Sequence, residues 1–174
     1  MTQELIDLRT CILEERYSDA LLIVDELEGM SKQGILRNIE SFLRRMMIHL
    51  IKNQVEQCLT NACAVAIEGS LFGIQDLNLK DNKTSYYIKP DEWEEFLESA
   101  ISEALRPASL EVLNGNISRS KLSEMIDKTQ LVSVANQLLA LTYNYSVKEL
   151  PDIIDEQLIQ LPGGEDWEFE NRGE

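Results

Sequence analysis

The longest apolar repeat in the chain runs from Ser31 to Gln54. Apolar residues recur there at steps of three and four, namely Ile35, Ile39, Phe42, Leu43, Met46, Met47 and Leu50. This period places them on one face of an α-helix, whereas a half-buried strand requires strict alternation. Ser31 suits the N-cap of this helix, and Gly29 suits the end of a preceding helix because glycine enters the left-handed conformation without a Cβ penalty. The pattern predicts a long helix over 31–54.

Two shorter helices are predicted before this long one. Leu5, Leu8 and Ile12 recur at helical spacing within Thr2–Glu15, and Ser18 suits the N-cap of a second helix that ends near Gly29. The buried side of that second helix is predicted to consist of Leu21, Leu22, Val24 and Leu27. Two short helices before a long one favour an antiparallel helical arrangement.

The segment Val55–Leu77 continues the helical period with small inward residues. They are Ala62, Cys63, Ala66, Ser70 and Gly73. Gly69 and Gly73 each cost roughly 1 kcal/mol relative to alanine in a helix interior. We therefore expect either close helix packing that compensates for this cost, or fraying of the helix near Gly73.

The second half of the chain contains loops between further helices. Asn78–Ser85 is polar and rich in turn formers, which predicts a loop, and Tyr86–Ile88 is expected to be a short extended or helical segment. Pro90 suits the first position of a helix that Pro107 is expected to end or kink. Thr129–Tyr143 tolerates a strand in its first half and favours a helix in its second; we predict a helix because no partner strand is visible.

These patterns predict an all-α fold, a largely up-and-down helical bundle with a short irregular C-terminal region. A chain of 174 residues has the length of one domain. We expect a single helical-bundle domain over residues 1–161, closed by a short helix at Ile153–Leu161. An acidic C-terminal tail over 162–174 follows from Pro162-Gly163-Gly164, and whether this tail is ordered stays open.

Composition and charge indicate the cellular compartment and the classes of partner to expect. The formal net charge of −15 has the wrong sign for a protein that coats nucleic acid or an anionic membrane. Three cysteines, Cys11, Cys58 and Cys63, form no paired framework and indicate reduced thiols. The N-terminus has no signal pattern, and the most apolar window is interrupted by Glu68 and Asp76. We expect a soluble cytoplasmic protein that does not contact a membrane.

Positive charge clusters on the polar face of the long helix, at Arg37, Arg44, Arg45 and Lys52. One interpretation is a docking stripe for an anionic partner, including nucleic acid. The other is that these side chains pair with Asp25, Glu26 and Glu28 on the preceding helix. We favour ion pairs, because the charge of the whole chain opposes nucleic-acid binding.

His49 is the single histidine of the chain. No HExxH or CxxC pattern surrounds it, and the acidic run Asp91–Glu98 lacks the Glu-x-x-His pairs of carboxylate metal sites. We expect a half-buried structural histidine bonded to a backbone carbonyl. The chain also lacks Gly-rich phosphate loops, so we predict no catalytic, cofactor-binding or metal-binding residues. A small enzyme or metal protein that uses His49 with nearby carboxylates remains the alternative.

Two segments carry a resemblance to a known family. DELEGMSK (25–32) and HLIKNQ (49–54) resemble the bacterial, mainly cyanobacterial, domain-of-unknown-function family number 29. The resemblance extends from Thr2 to Trp167 and includes LNLKDNKTSYY and LPGGEDW. It implies an all-α, largely up-and-down bundle and no established activity. The chain departs from the family pattern at Ala62-Cys63, where members tend to carry Ser-Trp, and at Phe72-Gly73, where they tend to carry a polar residue.

The tail offers two aromatic side chains, Trp167 and Phe169, framed by acidic residues. Exposed aromatics are typical anchors of protein interfaces. We expect a non-enzymatic protein–protein interaction module without a cofactor, whose tail folds back onto the basic stripe or competes with an acidic partner for it. A nucleic-acid-linked regulator that uses the Arg37–Lys52 stripe is a further alternative, and the oligomeric state stays open.

Overall fold

A computed structural model of the chain describes residues 2–80, 82 and 84–172. Within these ranges the chain forms eight α-helices and no strand, so the all-α prediction is confirmed. The helices are α1 (Gln3–Leu13), α2 (Tyr17–Glu56), α3 (Asn61–Asn78), α4 (Glu94–Glu111), α5 (Arg119–Met125), α6 (Lys128–Asn144), α7 (Leu150–Ile159) and α8 (Gly164–Arg172). A 3-10 turn over Val112–Gly115 follows α4, and one isolated antiparallel bridge joins Leu79 to Tyr86.

The chain divides into two compact units. The N-terminal unit, Met1–Asn38, contains α1 and the first part of α2, and the C-terminal unit, Ile39–Glu174, contains the remaining elements. The predicted division into one domain over 1–161 and a tail over 162–174 stays a prediction. Residues 164–172 of that tail instead form α8 within the C-terminal unit, so the C-terminal region is not irregular there; residues 173 and 174 lie outside the described residues.

The two helices predicted over 18–30 and 31–54 are one helix, α2, of 40 residues. Gly29 does not end a helix, and Ser31 is an exposed helical residue instead of an N-cap. A glycine in a helix interior costs about 1 kcal/mol, which is less than the cost of a proline. The neighbours of Gly29 include Glu26, Leu27 and Met30, which are strong helix formers and carry the helix through it.

A four-residue loop separates α2 from α3, so the predicted helix over 55–77 begins six residues late. Thr60 caps α3, because its hydroxyl accepts a hydrogen bond of 3.1 Å from the Cys63 backbone N–H. Asn53 is 2% exposed, and its Nδ2 donates to the carbonyls of Cys58 (3.1 Å) and Pro162 (2.8 Å). This amide fastens the loop to the turn that leads into α8. Gly163 occupies that turn with φ +75, where an added Cβ would lie 2.9 Å from Cys58 Cα.

The small residues of α3 allow a close approach from α2. An added Cβ at Gly73 would lie 2.5 Å from the ring of Phe42, whereas one at Gly69 meets nothing within 4 Å. Helix α3 continues to Asn78, so close packing compensates for Gly73 and the helix does not fray there. Phe42 itself is only partly buried, with its ring beside Gly73.

Pro90 does not open a helix as predicted, and Pro107 does not end one. Pro90 lies in a turn closed by a 3.0 Å bond from the Glu92 N–H to the Lys89 carbonyl, and α4 begins only at Glu94. Pro107 lies inside α4, which continues to Glu111. A proline removes one helical hydrogen bond. Buried neighbours on the same helix, Ala104, Leu105 and Ala108, hold the helix in place around it.

A polar network joins the loop after α3 to α6. Tyr143 donates its hydroxyl proton to the Ile88 carbonyl at 2.5 Å and accepts from Trp93 Nε1 at 2.8 Å and Asn78 Nδ2 at 2.9 Å. The Asn78 side chain also pairs with both backbone groups of Ile88. Burial raises the pKa of Tyr143 to about 12, so the hydroxyl stays protonated and able to donate. The ambiguous segment over 129–143 is thereby held as a helix.

Candidate functional sites

His49 and Cys63 lie together between α2 and α3. His49 Nδ1 is 3.3 Å from Cys63 Sγ, and Cys63 occupies the first turn of α3 next to its Thr60 cap. The thiol is 1% exposed, while the imidazole is partly exposed. The prediction of a half-buried histidine is therefore confirmed. Its predicted partner, a backbone carbonyl, was wrong, because a thiol occupies that place.

Burial favours the neutral form of this histidine. Burial lowers the pKa of His49, and Lys52 and Arg45 lower it further, while Glu111 opposes them. Because the pKa lies below the ordinary value of 6.5, the imidazole is uncharged near pH 7. In the tautomer that carries its proton on Nε2, Nδ1 accepts a hydrogen bond from the thiol. Cysteine nucleophiles pair with histidine in this way, but they also need an accessible sulfur atom. With the sulfur enclosed, the pair serves to join two helices.

Histidine, cysteine and acidic side chains, the usual protein ligands of metal ions, occur throughout the part of the chain that the structure describes. Among them, no group of three or more histidine, cysteine or acidic side chains is placed to hold a metal ion. The helices that are described also include none with the length and apolar character needed to cross a bilayer.

The basic residues do not pair as predicted. Asp25, Glu26 and Glu28 lie on α2 itself and not on a separate preceding helix. Arg44 instead contacts Glu103 of α4, with 3.3 Å between Nη1 and Oε2, and both side chains are about half exposed. Exposed ion pairs of this kind contribute little to stability. Arg45 is exposed and Lys52 partly buried, whereas Arg37 belongs to the N-terminal unit and is exposed there.

The aromatic residues of the tail lie on α8. Trp167 is partly buried, and its Nε1 donates to Asn61 Oδ1 at 2.7 Å, at the start of α3. A groove of about 340 Å³ lies beside this contact, between the loop before α3 and α8. Phe169 is 81% exposed. The contact made by Trp167 is with Asn61, and not with Arg44 or Arg45, where we had expected the tail to bind.

The N-terminal unit has a surface that the sequence analysis missed. Its α1 and α2 are joined by three residues, Glu14–Arg16, with a left-handed Glu15 (φ 59), and a connection this short makes an antiparallel αα-hairpin. Only Cys11 and Ala20 are buried among its described residues. Within this unit, the predicted buried residues Leu21, Leu22 and Val24 of α2 are exposed, and Leu27 is partly buried. Leu5 and Ile12 of α1 are exposed as well.

Burial defines the register of this hairpin. The least exposed positions are Glu4, Leu8 and Cys11 on α1 and Ala20, Ile23 and Leu27 on α2. An antiparallel register that matches them sets Cys11 opposite Ala20, Leu8 opposite Ile23, and Glu4 opposite Leu27. In each pair the two residue numbers add to the same value, as an antiparallel register requires. These positions follow helical spacing on both helices, so they form the interior line of the hairpin.

Five exposed apolar residues lie on one side of this interior line. With about 100° of rotation per residue, Leu5 and Ile12 lie roughly a quarter of a turn from the interior line of α1. Tyr17, Leu21 and Val24 lie roughly a quarter of a turn from the interior line of α2, in the same rotational sense. Because the helices are antiparallel, the same sense places both groups on the same side. We call this surface the hairpin apolar row: Tyr17, Ile12, Leu21, Val24 and Leu5, in order along the axis.

Comparison with known proteins identified no relative: no protein-family model, no curated protein and no solved structure matches the chain. The family resemblance therefore stays a prediction.

Proposed function

We propose that this chain is a non-enzymatic protein–protein interaction module and that the hairpin apolar row is its binding surface. The observation that supports the proposal is the exposure of the row. Leu21 is 64% exposed, Tyr17 60% and Ile12 51%, on a hairpin whose interior is only one line of side chains wide. Single exposed apolar residues are ordinary, but a contiguous apolar row is typical of an interaction site.

The basic and aromatic residues fit this proposal less directly. Arg44 and Trp167 each contact another part of the C-terminal unit, so both have intramolecular roles. Phe169 and Arg45 are exposed and remain candidates for a second contact with a partner. Membership in family number 29, an enzyme or metal site at His49 and a nucleic-acid role of the basic stripe remain proposals of lower rank, since nothing in the geometry favours them.

The proposal is tested by capture of partners from an extract of the native cell. Tagged wild-type chain, the Ile12→Glu/Leu21→Glu variant and Leu22→Glu are compared by quantitative mass spectrometry. Leu22 is a matched control, because it is 62% exposed, adjacent to Leu21 and on a different side of α2. We expect the same proteins, which include untagged copies of the chain itself, to be enriched with wild type and Leu22→Glu and lost from the double variant. Equal profiles for all three proteins would contradict the proposal.

A further inference from the structure

We infer that the partner that covers the hairpin apolar row is a second copy of this chain, so that two N-terminal hairpins form an intermolecular four-helix bundle. This inference rests on the proposed function, because it assigns the occupant of the same surface. Three observations carry it: the shape of the row, its area and the charges on its rims.

The shape of the row suits its own copy. Successive side chains come alternately from α2 and α1 at the end nearest the turn, so the row is a line of knobs with spaces between them over roughly 15 Å. A helical hairpin of the same length and width covers such a line completely. Two αα-hairpins, each made of two antiparallel helices, pack face to face as a four-helix bundle, which is a stable arrangement of amphipathic helices.

The area of the row lies at the limit for a specific dimer. The five residues are between 36% and 64% exposed. For side chains of this size, that fraction corresponds to on the order of 500 Å² of surface per copy, or about 1,000 Å² for two, which is near the minimum for a specific interface. The row therefore supports a reversible dimer. It has too little area for an obligate one.

The rims of the row carry opposite charges on opposite helices. Arg9 lies at the rim on α1 and Asp25 at the rim on α2, and the hairpin register places them within roughly 5 Å of each other in height. In one hairpin they lie on opposite rims and cannot meet. Neither has an ion-pair partner within the described part of the chain.

Two-fold symmetry converts these rims into complementary contacts. An axis parallel to the helices places α1 of one copy against α2 of the other, antiparallel to it. Arg9 of each copy then lies beside Asp25 of the other, and the pair forms twice, as an isologous interface requires. A heterologous partner would need a matching charge pattern of its own, whereas a second copy already carries it.

The test is sedimentation velocity of the full-length purified chain over a range of concentrations. We expect wild type to reach twice the monomer mass, with dissociation on dilution. Leu21→Glu should weaken the dimer at least tenfold, because it places two charges in the apolar contact. Leu22→Glu, the matched control, should dimerise like wild type. Circular dichroism confirms that each variant keeps its helices.

The rim charges give a second measurement that does not depend on the apolar side chains. Arg9→Glu should weaken the dimer by facing Asp25 of the other copy with a like charge, and Asp25→Arg in the same chain should restore it. Both substitutions are on exposed positions, so they leave folding intact even if Leu21→Glu does not fold.

Each outcome decides between the two proposals. If the wild type is monomeric at every concentration, the inference that a second copy covers the hairpin apolar row is wrong. If the wild type is monomeric but the capture experiment shows another protein that binds wild type and not Ile12→Glu/Leu21→Glu, the proposed interaction module is supported with a different occupant. A dimer that persists unchanged in both Leu21→Glu and Arg9→Glu overturns the inference as well, because the dimer then uses another surface.

Discussion

The two parts of α2 carry similar apolar periodicity in opposite surroundings. In the C-terminal unit Leu43, Met46 and Ile51 are 0% exposed, and Leu50 is 2% exposed. In the N-terminal unit Tyr17, Leu21 and Met30 are 59–64% exposed. The difference shows that an apolar stripe predicts which side of a helix avoids water, but does not predict which residues pack against that side. An apolar stripe that no other part of the chain buries is a candidate binding surface for a partner.

The largest expected effect comes from truncating one leucine in each part of α2. Leu43→Ala should lower the free energy of unfolding by about 2–5 kcal/mol, because it leaves a cavity in a closed core. Leu21→Ala should change it by about 0.5 kcal/mol or less at concentrations where the chain is monomeric. Urea unfolding of both variants measures the difference. Equal losses would mean that Leu21 is buried and that the comparison between the two parts fails.

Gly73 and Gly69 test how closely α3 approaches α2. Gly73→Ala should destabilise the protein by about 1–3 kcal/mol, since the new methyl group overlaps the Phe42 ring, even though alanine favours helices. Gly69→Ala, which meets open space, should stabilise it by up to about 1 kcal/mol. Thermal or urea unfolding compares the two variants. A stabilising Gly73→Ala would show that the ring does not lie against the helix.

His49 should make stability depend on pH. Its pKa is lowered in the folded state by burial, so the unfolded chain binds the proton more tightly. The folded protein should therefore lose stability as pH falls through about 6.5, and the loss should level off below the lowered folded value. Burial raises the pKa of Glu68 and Asp155, which produces the opposite trend at lower pH. The difference between wild type and His49→Gln isolates the histidine.

The same variant tests the metal hypothesis. We expect His49→Gln to lower stability through loss of the Cys63 contact and to leave zinc and iron at background in both proteins. Metal analysis of protein purified without chelators measures this. Stoichiometric metal in wild type that is lost in His49→Gln would instead favour the alternative of a metal protein or small enzyme that uses His49.

The smallest expected effect concerns Trp167. In a Trp93→Phe background its fluorescence reports α8 alone, and we expect blue-shifted emission that Asn61→Ala shifts to the red. High salt and Arg44→Glu/Arg45→Glu should leave the emission unchanged, because the contact is a neutral hydrogen bond and screening acts on exposed charges. Emission that responds to salt and to the arginine substitutions, but not to Asn61→Ala, would show that Trp167 binds the basic stripe instead of Asn61.

Local pattern was enough for the class of the fold and for much of its core. Ile39, Leu43, Met46 and Met47 were assigned to the inward face of the long helix and are buried, because helical periodicity is a property of neighbouring residues. The helix predicted over 129–143 is confirmed, although the first half of that segment also tolerates a strand. The same reasoning failed at Gly29 and Ser31, since a helix flanked by strong formers tolerates signals that elsewhere end it.

The sites depended on distances that no local pattern contains. His49 and Cys63 are fourteen residues apart, and only the loop at Gln57–Thr60, which folds α3 back along α2, brings them into contact. The same fold-back places Phe42 on Gly73. Trp167 and Asn61 meet because Asn53 holds the two connecting turns together. The sequence by itself determined which residues avoid water; the tertiary structure decided which of them are covered, because cover comes from residues distant along the chain.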